Sequence, residues 1–328
     1  MSEILDLLAT IGRLLRAENV LILCHKNPDG DTIGTAAALL HALKSLGKEA
    51  AVLCSDPIPS RYSYMQIELF HGQFDPGYIV AVDVASIQLF GDSIQEYTEQ
   101  IDLCIDHHGS NSGYADAMLL DAQAAATCEI MYDVIRAMNV EITPLIAECL
   151  YTGISTDTGC FLFSNTTVKS HLLAAKLMEA GARVQELNMI LFENKSKGRM
   201  AIERTALENL EYHFDDRCAL MYMTREQIAA SGVGPNELED ITSLPRKIEG
   251  VQVGITLRQL PGASYKISVR TTEGVDACAI AKRLGGGGHA RASGCELEGT
   301  LENAKAAILA EVERELKKAD EQTAQEQE

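Results

Sequence analysis

Apolar residues in the first part of this chain fall into short runs, several of which end in acids or imidazoles. Val20-Leu21-Ile22-Leu23-Cys24 is the first and reads as a buried strand. It leads into the polar turn His25-Lys26-Asn27-Pro28-Asp29-Gly30-Asp31, and residues 32–46 then read as a helix rich in Ala and Leu. Residues 48–55, 78–83 and 101–106 predict three further strands. Helical patterns occupy 87–98, 125–138, 144–156 and 168–180, and an amphipathic helix starts the chain and reaches Arg16. Strands alternating with helices predict an α/β unit with a mainly parallel sheet sandwiched by helices.

The pattern changes after a charged, helix-prone stretch at 195–212, which reads as a connecting helix. Residues 218–224, 251–260 and 263–271 predict strands, with Pro261-Gly262 turning between the last two. A helix at 276–284 runs into Gly285-Gly286-Gly287-Gly288-His289, followed by a strand at 292–297 and a long charged helix from Leu301. The expected division is a catalytic unit at 1–190, a connecting helix at 191–212, a smaller α+β unit at 213–318 and a frayed tail at 319–328.

Composition narrows the function. With 328 residues the chain is long enough for two cores, and 46% hydrophobic content argues against disorder. No apolar run is long enough to span a bilayer. The N-terminus carries acids and no basic segment, so no secretory signal is expected. Nine scattered Cys without a Cys-x-x-Cys pair suit reduced thiols in a cytoplasm. A net charge of −19 disfavours long nucleic acid held through its phosphates, and leaves room for a short phosphate ligand at a local site.

Four segments offer acids and imidazoles at strand ends or loop starts: His25 with Asp29 and Asp31, Asp83, Asp106 with His107 and His108, and Asp157. An Asp closing an apolar strand is costly unless it is paired, hydrogen-bonded or bound to a metal. Strand ends of one parallel sheet converge on one rim, where divalent cations relieve the repulsion between such acids. Carboxylates mixed with imidazoles, without thiolate, suit Mn²⁺ or Mg²⁺ better than structural zinc. Taken alone, the 25–31 turn reads equally well as a plain turn with Asp31 or Thr32 capping the helix. In the second unit, glycines let backbone N–H groups approach a phosphate, and Arg270, His289 and Arg291 carry matching charge or donors. The plain alternative there is surface charge on a small sheet.

Together the motifs resemble a known family. The 25–31 turn, Asp83, Asp106-His107-His108-Gly109-Ser110-Asn111 and Thr156-Asp157-Thr158-Gly159 look like the four successive motifs of the DHH phosphoesterase superfamily. Gly285-Gly286-Gly287-Gly288-His289-Ala290-Arg291-Ala292-Ser293-Gly294 resembles the signature of the DHH-associated domain. The resemblance covers nearly the whole chain in order, with Thr32 and Thr35 where Ala and Ser are often found. The length is similar to the bacterial oligoribonuclease/pAp phosphatase (NrnA-type) branch rather than to the longer RecJ exonucleases.

The resemblance implies a hydrolase with two divalent cations, Mn²⁺ or alternatively Mg²⁺. His25, Asp29 and Asp83 would hold one; Asp31, Asp83, His107 and Asp157 the other, with Asp83 bridging. Asp106 would orient a ligand imidazole. His108 would face the substrate phosphate, its side chain pointing opposite to that of His107 on extended backbone. A hydroxide shared by the cations would attack phosphorus. Asn111 would position His108 or a substrate oxygen. Arg270, Gly285, Gly286, Gly287, Gly288, His289 and Arg291 would bind the nucleotide on a lid facing the metals. The implied substrates are very short oligoribonucleotides (nanoRNA), cut to nucleoside monophosphates, and pAp, cut to AMP. Alternatives are a linear or cyclic dinucleotide phosphodiesterase acting on pApA or c-di-AMP, a family II pyrophosphatase, and a non-catalytic nucleotide sensor. No membrane partner is expected, and the oligomeric state is open, a homodimer being one option.

Overall fold

The computed structural model describes residues 2–234 and 237–326. The chain forms two compact units, Met1–Asn194 and Lys195–Glu328.

In the first unit, β1 (Glu3–Ile4), β2 (Val20–Leu23), β3 (Ala50–Leu53), β4 (Tyr78–Val82), β5 (Leu103–Asp106) and β6 (Ala117–Leu120) make one sheet. Their order is β1-β6-β5-β4-β2-β3 and every pairing is parallel. The chain steps from β2 out to β3, then crosses back to lay β4 on the other side of β2. In open α/β sheets this reversal opens a crevice at the carboxyl ends of the strands. Alternate residues of β2 enter different cores: Val20 and Ile22 pack under the helices, while Leu21 and Leu23 meet Phe70, Phe90 and Ile94 on the opposite face. Burial on both faces is why the strands read as unbroken apolar runs.

The helices of this unit are α1 (Leu7–Arg16), α2 (Gly30–Ser45), α3 (Thr127–Ala137), α4 (Pro144–Asp157), α5 (Val168–Glu179) and α6 (Val184–Asn188). Helix α2 packs closely on α4, and two glycines permit it. A Cβ on Gly34 would lie 2.5 Å from the Cys149 carbonyl oxygen, and one on Gly153 would lie 2.5 Å from Asp31 Oδ1. This contact sets Asp31, on the first turn of α2, near Asp157, the last residue of α4.

Two sequence expectations differ here. Residues 87–98 form two separate 3₁₀ turns, Ile87–Leu89 and Asp92–Tyr97, split by extended backbone at Phe90 and Gly91. Phe90 and Ile94 are both buried, and their four-residue spacing imitates a helix. The first helix begins at Leu7, because Glu3 and Ile4 pair with β6 as the sheet's edge. Strand β6 itself carries no sequence expectation.

The second unit contains α7 (Lys197–Glu208), β7 (Glu211–His213), β8 (Cys218–Met223), α8 (Arg225–Ser231), β9 (Val253–Gln259), β10 (Ser264–Thr271), α9 (Ala277–Arg283), β11 (Gly287–Gly288), β12 (Ala292–Glu298) and α10 (Leu301–Glu326). Its mixed sheet runs β11-β12-β10-β9-β8-β7. Residues Ile255, Ile267, Val269, Ile280, Ile308 and Val312 anchor the core. Helix α7, expected as a connector, belongs to this unit: Ile202 and Ala206 are buried with Met221 and Met223 of β8. The expected frayed tail is helical through Glu326. Asp320 accepts two bonds from the Arg217 guanidinium, at 2.9 and 2.7 Å, which ties that part of α10 down.

Candidate metal centre

Each expected metal-site side chain stands at the carboxyl end of a strand or at the end of a helix packed there. His25 follows β2, Asp83 follows β4, and His107 follows β5. His25 and Asp83 thus flank the point where the strand order reverses. Asp29 is the N-cap of α2, its Oδ1 accepting the N–H groups of Asp31 (3.1 Å) and Thr32 (3.2 Å). The cap expected at Asp31 or Thr32 is therefore two or three residues earlier, which frees Asp31 to turn inward.

The donors form overlapping sets. His25, Asp29 and Asp83 place one donor atom each within 4.8 Å of one another, and so do Asp31, His107 and Asp157. Asp83 touches both sets: its Oδ2 lies 3.9 Å from His25 Nε2 and its Oδ1 lies 3.6 Å from His107 Nε2. His107 Nε2 is also 3.4 Å from Asp157 Oδ2. The two imidazoles are held alike. His25 Nδ1 donates to the Lys26 carbonyl (2.7 Å) and His107 Nδ1 to the Ala124 carbonyl (3.1 Å). Carbonyls only accept, so each ring carries a proton on Nδ1 and points Nε2 toward the acids. Metal-ligating histidines are oriented in this way.

The carboxylates are short of positive charge. Burial and the charges of Asp31, Asp29 and Asp157 push Asp83 well above the usual carboxylate range. Burial, then Asp31 and Asp29, push Asp157 up to about 9. Burial also raises Asp31. Burial would lower the His25 pKa, but the Asp29 carboxylate beside it reverses the shift, to about 9. Buried acids that resist ionising together, interleaved with two imidazoles that point Nε2 at them, fit divalent cations.

Asp106 plays a different part from the one expected. It is fully buried. Its Oδ1 accepts the backbone N–H groups of His107 (2.8 Å) and His108 (3.2 Å) and the Nδ1–H of His108 (2.7 Å). Its Oδ2 accepts Asn111 Nδ2 at 2.6 Å. Burial would raise its pKa, but the bonds from His108 and Asn111 outweigh that and hold it low. Asp106 therefore orients the His108 ring, while the His107 ring is held by Ala124. Nor do the two rings point oppositely. They lie edge to face with centroids 4.5 Å apart, and His108 Nδ1 is also 3.6 Å from Asp83 Oδ1. The backbone after β5 is no longer extended strand, so the alternation of side chains lapses.

Asn111, expected to position His108 or a substrate oxygen, bonds within the fold and reaches His108 only through Asp106. Besides Asp106, its Nδ2 reaches the Val84 carbonyl (3.2 Å), and its Oδ1 accepts the Gly113 N–H (2.9 Å). Several supports of the site had no expectation attached. Thr127 and Cys128 donate their amides to Asp31. Asp56 Oδ2 accepts the N–H of Asn27, which sits at φ +51° in the middle of the 25–31 turn, at 2.7 Å. Asn165 Nδ2 bridges the carbonyls of Ala125 and Asp157, both at 3.1 Å. Thr35, one helical turn after Asp31, was the one support with a readable spacing; its hydroxyl lies 3.4 Å from Asp31 Oδ1.

The glycine run of the second unit is an edge strand. Gly285, at φ +78°, ends α9, and Gly287 and Gly288 pair with Gly294 and Ser293. A Cβ on Gly286 would lie 2.2 Å from the Gly294 carbonyl oxygen, whereas one on Gly287 would meet nothing within 4 Å. Gly286 is thus glycine for packing, and Gly287 leaves its backbone open to a ligand. His289 is exposed at the following turn. Arg270 lies opposite Ala292 on the neighbouring strand. Arg291 differs from expectation: its Nη1 donates to the carbonyls of Thr272 and Val275, both at 2.8 Å, and so braces the turn before α9.

With this geometry in hand, comparison with known proteins gives a consistent picture. The DHH family, N-terminal domain, matches residues 19–154, and the DHHA1 domain matches residues 219–318. The bifunctional oligoribonuclease and PAP phosphatase NrnA of Thermus thermophilus is 33% identical over 310 residues, covering 92% of this chain and 91% of that protein. The protein of the same name from Bacillus subtilis is 24% identical, covering 85% of this chain and 90% of its own length. Among solved structures, an exopolyphosphatase-related protein from Bacteroides fragilis shares the fold with a TM-score of 0.86 at 24% identity, over 94% of this chain and 95% of that one.

Proposed function

The chain belongs to the DHH phosphoesterase family, in its NrnA-type branch, and from that premise we propose that the acid–imidazole cluster of the first unit is its active site, hydrolysing very short oligoribonucleotides to nucleoside monophosphates and pAp to AMP. The observation that carries this reading is the pair of donor sets joined at Asp83, with both imidazoles locked as Nδ1–H and presenting Nε2.

His25, Asp29 and Asp83 hold one divalent cation, and Asp31, Asp83, His107 and Asp157 hold the other. Two imidazoles in the donor set favour Mn²⁺ over Mg²⁺, which prefers oxygen and water. When bound, such cations activate water and offset charge on phosphoryl oxygens. His108, with Nδ1 committed to Asp106, has Nε2 left to meet a substrate oxygen. The Asp106 hydrogen bond raises its pKa, which favours a proton on that Nε2. Arg270, the open backbone of Gly287 and His289 hold the nucleotide in the second unit. All nine cysteines are free thiols, which supports a cytoplasmic setting. Among the described residues no helix is long and apolar enough to cross a membrane.

The test is a product assay with Mn²⁺ that offers pAp, a linear dinucleotide, a cyclic dinucleotide, a 5-nucleotide RNA, a long RNA and pyrophosphate side by side, each with a chelated control. Metal-dependent release of AMP from pAp and of mononucleotides from the short RNAs is expected. Faster cleavage of long RNA, or turnover of pyrophosphate alone, would overturn the short-substrate reading. Tight nucleotide binding without turnover would mean a sensor.

A further inference from the structure

Two acids of the cluster, Asp31 and Asp83, lean on one residue that carries no charge. Thr127 is fully buried at the first position of α3. Its hydroxyl donates to Asp83 Oδ1 at 2.9 Å, and its backbone N–H donates to Asp31 Oδ2 at 2.6 Å. The next amide, of Cys128, donates to Asp31 Oδ1 at 3.0 Å. Asp83 must divide its oxygens, since Oδ1 faces His107 while Oδ2 faces His25. Strand β4 does not dictate that division, because the terminal torsion of an aspartate is broad and nearly two-fold. A fixed hydroxyl on one oxygen does.

We infer that Thr127 is a positioning residue that sets which oxygen of Asp83 serves which cation, by tying Oδ1 to the same helix end that holds Asp31. The inference rests on the reading of Asp83 as a ligand common to both donor sets. The α3 terminus thereby keeps Asp31, Asp83 Oδ1 and His107 in one register, leaving Oδ2 for His25 and Asp29. Its hydroxyl caps no helix amide, so the bond to Asp83 is its use.

The experiment is Mn²⁺ titration of the full-length, chelator-stripped protein by calorimetry, with circular dichroism as a check of folding. Thr127→Val keeps the shape and the amide and removes the donor; Thr127→Ser keeps the donor. The unaltered chain and Thr127→Ser should each bind two ions. Thr127→Val should bind one ion normally and the second about 10- to 100-fold more weakly, as is usual when a group supporting a ligand is removed. If Thr127→Val does not fold, Thr127→Ala makes the same comparison. Two ions bound by the valine variant as tightly as by the unaltered chain would overturn the role of Thr127 and leave the shared-ligand reading standing. Fewer than two ions on the unaltered chain would remove that reading, and the inference with it.

Discussion

Asp106→Asn changes one atom and should be felt across the site. Four donors converge on this buried carboxylate: two backbone amides, His108 Nδ1 and Asn111 Nδ2. An amide side chain can accept on one side only. If its oxygen keeps the backbone amides and His108, its NH₂ faces the NH₂ of Asn111; the flipped rotamer is worse, facing three donors. Leaving a buried donor unsatisfied costs about 1–3 kcal/mol, and reducing the charge-assisted bonds to neutral ones costs about 1 kcal/mol more. A total of about 3 kcal/mol lowers the Tm of a unit of this size by about 9 °C, at about 3 °C per kcal/mol. The pH–rate profile should respond as well. The Asp106 hydrogen bond is the largest influence raising the His108 pKa, so its loss moves the basic limb to lower pH. Bound metal should not change, because neither expected ligand imidazole depends on Asp106. Thermal unfolding of the Mn²⁺-loaded variant and its pH–rate profile with pAp are the assays. A Tm within 1 °C of the unaltered protein together with an unmoved basic limb would refute the network. Loss of an ion would show Asp106 to be a ligand.

Asp83→Ala should abolish activity and lower bound metal at both positions, more than Asp29→Ala does; metal analysis showing two tightly held ions would sink the bridging assignment. Arg270→Ala and His289→Ala should each reduce kcat/KM on di- to pentanucleotides by roughly ten- to a hundred-fold, from a lost charge-assisted bond of about 1.5–3 kcal/mol, and barely affect a small generic phosphodiester. Equal losses on both substrates would assign these residues to the fold. Without metal, the protein should lose stability as pH rises from 6.5 to 9, since His25 and Asp157 both titrate near 9 when folded and at lower pH when unfolded, so the native state holds the extra protons. Mn²⁺ should flatten that slope, and a level metal-free Tm across the window would contradict the shifts.

Much of the first unit was readable because its strands are buried on both faces. Apolar runs such as Val80-Ala81-Val82 and the acid that ends each have no other easy reading. The motif residues follow from chemistry that only a few side chains perform. What escaped was of two kinds. Strands β1 and β6 are edge partners of two and four residues, and pairing, not local pattern, makes them strands. The supports of the site act through generic groups: a carbonyl at Ala124, amides at Thr127 and Cys128, an Asp at 56 in a loop. Such groups occur everywhere, so only the fold reveals which are used. The same limit explains Asn111 and Arg291, whose donors were correctly seen and are satisfied by local carbonyls and a carboxylate.

The donors of the acid–imidazole cluster appear along the chain in order, at 25, 29, 31, 83, 107 and 157, and the last of them ends α4. As the chain leaves the ribosome, residues 25–31 emerge early as a polar turn with no partner. The close packing of α2 on α4 cannot form before α4 is made, so neither can the second donor set. Under the proposed two-cation reading, capture of the second cation therefore waits until α4 has been made. All six donors lie before Asn194, so under that reading the second unit can still be under synthesis when the donor sets close.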